Sequence, residues 1–175
     1  MSLILVDSPL IARTRDTGEV QRELRKSSGP WRILVAHHPI AIREGREPTG
    51  YGGAMYEAIR ASGRPVQLFL SGHRHNLQLM VVSEPRPMVH VIAGGGSNRR
   101  PLREPPFIGR HYAIETTGFA RVDLLEAGGT EHLEVSLFTV PRYPIHFWIG
   151  PTLVSRWRID RDGGASQVYP PVPKS

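Results

Sequence analysis

The chain has 175 residues, of which 39% are hydrophobic, and a formal net charge of +6. This length and composition predict one domain with a proper core, and no apolar run approaches the roughly 20 residues that a membrane helix needs. The absence of cysteine excludes disulfides and thiolate metal sites, which leaves nitrogen and oxygen atoms as metal ligands.

The first half of the chain alternates strand and helix patterns. Strand patterns cover residues 3–6, 33–36 and 66–71, and helix patterns cover residues 17–27 and 53–62. In the first helix Thr17 is the expected cap, and Val20 and Leu24 share the inward face. In the second helix Met55 and Ile59 are expected to point inward. This order predicts a βαβ unit, whose ligands gather outside the carboxyl ends of the parallel strands.

Three histidines directly follow these strand patterns. His37 follows residues 33–36, and His73 and His75 follow residues 66–71. Neutral imidazole is the commonest side-chain metal ligand, and histidines at positions i and i+2 of an extended segment point to the same side. The pattern therefore predicts a metal site at one edge of the sheet. The alternative is a set of hydrogen-bonded surface histidines in strand-end turns.

The second half of the chain is predicted to be mostly β structure. Strand patterns cover residues 77–82, 87–93, 119–124, 133–140 and 153–159, and the third and fourth of these form a plausible hairpin. The Gly-, Ser- and Pro-rich residues 161–175 predict a flexible tail, so the domain is expected to span residues 1–160.

Several further segments have a structural and a functional interpretation. His90 alternates with apolar residues, which favours a hydrogen-bonded histidine in the core over a ligand, and His132 and His146 are expected on the surface. For Gly94–Gly96 a tight turn is favoured over a phosphate-binding loop. The charged loop at residues 40–52 either overhangs the site or is a mobile surface loop.

The histidine segments resemble a known family. His37-His38-Pro39 after one strand, and Ser71-Gly72-His73-Arg74-His75-Asn76 after the next, resemble the C-terminal half of the calcineurin-like metallophosphoesterases. The branch most similar is the purple or tartrate-resistant acid phosphatases, which also share the Gly-rich residues 94–97 and a stretch like residues 111–120. The resemblance covers residues 3–140. It implies an α/β fold: the C-terminal half of an α/β/β/α sandwich with a mixed β-sheet and flanking helices.

The resemblance also implies a function and roles for individual residues. In this family a dinuclear centre of transition metals, here Fe, Zn or Mn, activates water to hydrolyse phosphate esters. His37 and His73 would bind one metal and His75 the other. The residues expected to contact substrate or support these ligands are His38, Arg74, Asn76 and His111, the last at the end of a long loop that would fold back over the site.

Half of the family's metal motifs are missing from the sequence. Asp-x-His, Gly-Asp-x-x-Asp and Gly-Asn-His followed by Asp or Glu do not occur. The single chain is therefore expected to bind at most one metal ion weakly and to be inactive or incomplete as a hydrolase. Three explanations compete: a gene fragment or mis-started product, one component of a two-chain enzyme, and a degenerate paralogue that serves as a non-catalytic binding or regulatory module.

The missing N-terminal motifs also lead to an expectation about binding partners. Strands such as residues 66–71, apolar on both faces, would lose the cover of the missing half, which predicts self-association or a complementary N-terminal half. Among the 22 basic residues only Lys26 and Lys174 are lysines, and the arginines are dispersed, which argues against nucleic-acid binding. Phosphate esters are the expected substrates. Without a signal peptide the literal sequence predicts cytoplasm, whereas a lost N-terminus with such a signal would predict export.

Overall fold

The N-terminal part of the chain builds a parallel sheet with helices on one side. The computed structural model describes residues 1–40, 50–83, 86–96, 99, 101–102, 110–141 and 148–170. Its first elements are β1 (Ser2–Val6), α1 (Ser8–Thr14), α2 (Gly18–Lys26), β2 (Arg32–Ala36), α3 (Gly50–Ser62) and β3 (Leu68–Ser71). The predicted βαβ order is confirmed.

Helix α1 was not predicted from the sequence. Asp7 caps it by accepting a hydrogen bond from the Leu10 amide at 2.9 Å, and Pro9 lies in its first turn, where a missing N–H costs nothing. Helix α2 buries Val20 and Leu24 as predicted. The side chain of Thr17 makes no capping bond to α2. Asp16 accepts a hydrogen bond from the Gly18 amide at 2.8 Å instead.

The first sheet is completed by three strands: β4 (Leu77–Val82), β5 (Met88–Ala93) and β6 (Arg110–Ile114). The sheet order is β1-β2-β3-β5-β4-β6. β1, β2, β3 and β5 run parallel, while β4 runs antiparallel to both of its neighbours. The strand at Arg110–Ile114 was not predicted, since the sequence there suggested a long loop.

A second, antiparallel sheet packs on the first. It contains β7 (Gly118–Ala127), β8 (Thr130–Thr139), β9 (Thr152–Ile159) and β10 (Ala165–Tyr169) in the order β10-β9-β8-β7. The predicted hairpin is confirmed, with Gly128 and Gly129 at positive φ in its turn. The flexible-tail prediction is wrong for Ala165–Tyr169, because these residues pair with β9.

Two apolar clusters lie on either side of the first sheet. The helices cover one face, where Leu34, Met55 and Phe69 are buried, and the second sheet covers the other, where Leu68 and Leu133 are buried. β3 is thus covered on both faces by the chain itself. The expectation that truncation leaves β3 uncovered is wrong, because β8 and β9 supply the second layer.

Polar side chains tie the two sheets together at one end. Trp31 Nε1 donates a hydrogen bond to Glu131 at 3.1 Å, and the buried Gln67 donates from Nε2 to the carbonyl oxygen of Arg161 at 2.7 Å. The α/β class predicted from the sequence is confirmed. Within the described residues no helix has the length and apolar character that crossing a membrane would demand.

Candidate metal centre

The histidine motifs meet at the carboxyl ends of β2 and β3. The parallel register pairs Ala36 with Ser71, so the segments that follow both strands leave the sheet at the same edge. His37 and His38 come directly after β2, and His73 comes two residues after β3. This is the edge at which open α/β sheets bind ligands.

Three imidazoles are close enough to share one metal ion. Nε2 of His37 lies 3.1 Å from Nδ1 of His73, and the ring centroids of His38 and His73 are 4.7 Å apart. One nitrogen from each of His37, His38 and His73 lies within 4.8 Å of the others. Two nitrogens bound to a tetrahedral ion at 2.0–2.1 Å would lie about 3.3 Å apart, so the His37–His73 pair fits a metal ion.

The backbone at His73 is held in an unusual conformation. Its φ is +61°, in the left-handed region that side chains other than glycine seldom adopt. Tight local hydrogen bonds enforce it: the Arg74 amide donates to the Gly72 carbonyl at 2.6 Å, and the Asn76 amide donates to the Arg74 carbonyl at 2.8 Å. Backbone strain of this kind occurs at functional sites, where surrounding structure maintains it.

Ser8, which the sequence analysis missed, organises the two histidines after β2. The buried Ser8 Oγ accepts hydrogen bonds from the backbone amides of His37 at 3.1 Å and His38 at 2.9 Å, and lies 3.1 Å from Nδ1 of His38. A serine hydroxyl has two acceptor lone pairs and one proton. With both amides donating to Oγ, the proton of the Ser8 hydroxyl is available to Nδ1 of His38 in the tautomer that leaves this nitrogen unprotonated.

That hydrogen bond defines the chemistry of His38. With Nδ1 as acceptor, the neutral ring carries its proton on Nε2 and is a hydrogen-bond donor rather than a metal ligand. Burial, and then the charge of His37, lower the pKa of His38, which favours this neutral form. No signal in the sequence marked Ser8, because α1 was not recognised and residues 8 and 38 are brought together only by the sheet.

His75 lies next to the cluster in sequence, but it does not belong to the three imidazoles that could share one metal ion. Its Nδ1 is buried and has no hydrogen-bond partner in the described structure. An imidazole nitrogen in that state is consistent with a ligand position, because a buried polar atom without a partner is costly unless an ion or another group satisfies it. The assignment of His75 to a second metal stays a prediction.

Asn76 and Gly94 hold the histidine loop against the first sheet. Asn76 is buried, its Oδ1 accepts a hydrogen bond from Gln78 at 2.9 Å, and its carbonyl accepts one from the Gly94 amide at 3.3 Å. A Cβ at residue 94 would collide with the carbonyl oxygen of Arg74. The favoured interpretation of the Gly-rich segment as a tight, closely packed turn fits this contact, and Ser97 lies outside the described residues.

The remaining predicted histidines lie elsewhere. His111 is on β6, at the opposite edge of the sheet order, with its ring 5.4 Å from Trp157, so the structure does not bring it to the cluster. His90 is fully buried and 2.9 Å from Ser71 Oγ, as expected for a core histidine. The surface prediction for His132 is wrong, because it is buried. His146 and loop residues 41–49 lie outside the described residues.

A sequence relative and two solved structures are similar to this chain. Purple acid phosphatase 4 of Arabidopsis thaliana is 33% identical over 79 residues, which cover 45% of this chain and 23% of that protein. No protein-family model matches the chain.

The structural similarities extend further along the chain. GAP50, the anchor in the inner membrane complex of Plasmodium, has a TM-score of 0.59 and 15% identity over 78% of this chain and 44% of its own. PhoD has a TM-score of 0.62 and 12% identity over 89% of this chain and 34% of its own. The chain spans less than half the length of each of these three proteins. It has the metallophosphoesterase-type α/β fold and resembles a purple acid phosphatase in sequence, as the histidine motifs predicted.

Proposed function

We propose that this chain is the histidine-bearing part of a metal-dependent phosphoric ester hydrolase. It would hold one transition-metal ion through His37 and His73. The observation that carries the proposal is the 3.1 Å separation of their ring nitrogens at the carboxyl edge of a parallel sheet. When bound, the metal would act as a Lewis acid on a phosphoryl oxygen and lower the pKa of water toward about 7.

His38 and Arg74 are the residues expected to contact substrate. The ring of His38 packs beside His73 and, in the tautomer that accepts from Ser8 at Nδ1, presents Nε2–H as a donor. A phosphate ester offers anionic oxygens as acceptors, and hydrogen bonds to such oxygens are stronger than neutral ones. Arg74 follows His73 directly and adds a positive charge, whose guanidinium matches phosphate geometry.

The donor set explains why the isolated chain is expected to be incomplete. Within the described ranges, the group that could share one ion contains histidines only. Neutral imidazoles leave the charge of a metal pair uncompensated, and two-metal hydrolysis places its ions about 3.5–4 Å apart. Carboxylates from outside this group would be needed for turnover.

Calorimetry with zinc or manganese tests the metal site. The chain should take up at most one equivalent weakly, and His37→Ala and His73→Ala should each abolish the uptake. His111→Ala is the matched control, since it removes a histidine at the other edge of the sheet and should leave the titration unchanged. Unaltered uptake in a His37→Ala, His73→Ala double variant would refute the assignment.

A non-catalytic metal-binding module is the second candidate, and the all-histidine donor group favours it. Binding of inorganic phosphate separates the two. A hydrolase component should bind phosphate only with metal present, and His38→Ala should weaken that binding by roughly tenfold through loss of one charge-assisted hydrogen bond. A regulatory module should show the metal titration without metal-dependent phosphate binding.

A further inference from the structure

Three arginines meet at the end of the first sheet that lies away from the histidines. Arg32 is the first residue of β2 and His37 follows its last, so the two lie about 16 Å apart along the strand. Arg25 is in the last turn of α2, and Arg64 comes shortly after the C-terminal end of α3. We refer to Arg25, Arg32 and Arg64 as the arginine cluster.

Hydrogen bonds bring the three side chains of the cluster together. Arg25 Nη2 donates to the carbonyl oxygen of Ala61 at 3.1 Å, and Arg64 Nη2 donates to the carbonyl oxygen of Arg25 at 3.3 Å. Arg32 donates from Nε and Nη2 to the hydroxyl and the carbonyl oxygen of Ser27, the C-cap residue of α2. Burial, and then the nearby charge of Arg64, lower the pKa of Arg32. The fold thus joins arginines that are dispersed in the sequence.

Arg32 is a buried cation without an acidic partner. The residue is 5% exposed, and within the described ranges no carboxylate forms an ion pair with it. Its guanidinium bonds only the two oxygens of Ser27, and its Nη1 has no partner in those ranges and is not fully enclosed by protein. A buried charge is costly unless it is paired. Arg32 therefore offers a positive charge for an anion to offset.

Arg25 and Arg64 add unpaired charge at the surface beside Arg32. Among the residues that the structure describes, neither forms an ion pair, and each uses only Nη2 as a side-chain donor. Arg22 and Arg60 lie on the same two helices, and both are paired with glutamates. The arginine cluster thus differs from neighbouring arginines in having unused donors and no acidic partner.

The charge of the cluster matches a doubly charged anion. Each helix C-terminus carries roughly half a negative charge, so the ends of α2 and α3 together supply about one. Set against three guanidinium groups, this leaves about two positive charges uncompensated. A phosphate group carries roughly −1.5 to −2 at pH 7, and guanidinium forks match its oxygens in geometry. A single carboxylate would offset only about half of the excess.

We infer that the arginine cluster binds a small phosphate-bearing anion, either inorganic phosphate or a soluble phosphate monoester. The phosphoryl oxygens would accept hydrogen bonds from Nη1 of Arg32 and from the unused N–H groups of Arg25 and Arg64. Because the fold creates the cluster, the bound anion would raise the free energy of unfolding. The inference does not depend on metal binding at the histidines.

Calorimetry of the full, metal-free chain tests the cluster, with inorganic phosphate and glycerol phosphate as probes and acetate at equal ionic strength as the comparison. Both phosphates should bind, and acetate should bind more weakly by roughly tenfold because it offsets less charge. Tighter binding of one phosphate would support the site and identify its source. Phosphate should also shift the Nε–H signal of Arg32 in nuclear magnetic resonance spectra.

Charge variants locate the binding. Arg25→Gln and Arg64→Gln should each weaken phosphate binding by roughly tenfold, because each removes a charge-assisted hydrogen bond. Arg22→Gln and Arg60→Gln remove the same charge from the same helices at ion-paired positions and should leave the affinity unchanged. All four arginines are exposed, so the replacements should spare the fold, which circular dichroism verifies.

Four outcomes would overturn the inference. They are no phosphate binding by the metal-free chain, equal binding of acetate, unchanged affinity in both Arg25→Gln and Arg64→Gln, and loss of phosphate binding in the His37→Ala, His73→Ala double variant. The last would assign the anion to the histidine edge. Phosphate at the cluster needs no metal, so binding at the histidines is measured as the increase on adding metal. A failure of the arginine cluster is therefore distinguishable from a failure of the metal centre.

Discussion

The hydroxyl of Ser8 holds both the backbone and the ring of His38, at 2.9 Å from its amide nitrogen and 3.1 Å from Nδ1. One buried oxygen thereby connects the start of α1 to the histidines after β2. The connection makes α1 part of the site, although it contributes no side chain to the group of imidazoles.

Replacing Ser8 by alanine should disturb both stability and metal binding. Ser8→Ala leaves two amide donors without their partner and frees the His38 ring, so the free energy of unfolding should fall by about 1–3 kcal/mol. Denaturant unfolding measures the loss, and calorimetry should show weaker metal uptake. Ser28→Ala, at an exposed position, is the control and should match wild type. Equal stability of Ser8→Ala and Ser28→Ala would contradict this role.

Two glycines that follow β5 offer a matched pair. Gly94→Ala would push a methyl group into the Arg74 carbonyl, whereas a Cβ at Gly96 meets nothing within 4 Å. Forcing the backbone apart should cost about 1–3 kcal/mol or more and displace the histidine loop. Thermal unfolding and metal titration of Gly94→Ala should both be impaired, with Gly96→Ala unaffected. Identical behaviour of the two variants would show that the loop accommodates the methyl group.

The buried His90 predicts a pH dependence of stability. Burial lowers the pKa of His90 to about 3, well below the value of about 6.5 in an unfolded chain. Between these values the unfolded chain binds the proton more readily than the folded one. The free energy of unfolding should therefore be highest above pH 6.5 and fall as the pH drops toward 3. The His90 contribution to this fall should be on the order of 4 kcal/mol.

His90→Leu should flatten that dependence. Denaturant unfolding at several pH values between 4 and 7 measures the slope. Phe69→Leu is the control, because it alters the ring that packs against His90 without removing a titrating group, and it should lower stability while keeping the slope. A slope that survives His90→Leu would assign the pH dependence to other groups.

Gln67 is predicted to stabilise the contact between the two sheets. Its Oε1 accepts from the Arg32 amide at 2.9 Å, and its Nε2 donates to the Arg161 carbonyl at 2.7 Å. Gln67→Leu would remove the partner of the buried Arg32 amide and that of the partly buried Arg161 carbonyl, and should cost about 2 kcal/mol in unfolding free energy. Gln167→Leu on β10, whose amide makes one 3.4 Å bond to Tyr169, should cost far less.

Local patterns predicted the elements that carry their own signals. Apolar runs marked β2 and β3, and the spacing of Val20 and Leu24 marked α2, because burial of one face imposes those periods. The edge position of His37 and His73 followed from the βαβ order. The fold class and the shared sheet edge of His37 and His73 were therefore readable from the sequence, and their role as metal ligands stays a prediction.

Features that depend on long-range packing were not readable. Ser8 meets His38 across 30 residues, and nothing near either position indicates the contact. β6 and β10 are short strands whose sequences resemble loops, and they form because neighbouring strands offer free edges. The cover over β3 was missed for the same reason, since it comes from a sheet built entirely of later residues.

The second sheet has a consequence for the order of events during synthesis. Leu68, Val89 and Val91 leave the ribosome before residues 130–159, which hold the strands that bury them. A first sheet that forms at this stage would expose one apolar face to water. Trp31 would also lack its hydrogen-bond partner Glu131, which lies 100 residues further along the chain. Long-range pairings of this kind fold slowly and expose aggregation-prone intermediates. Ribosome-bound chains that end before β8 should therefore be the aggregation-prone species.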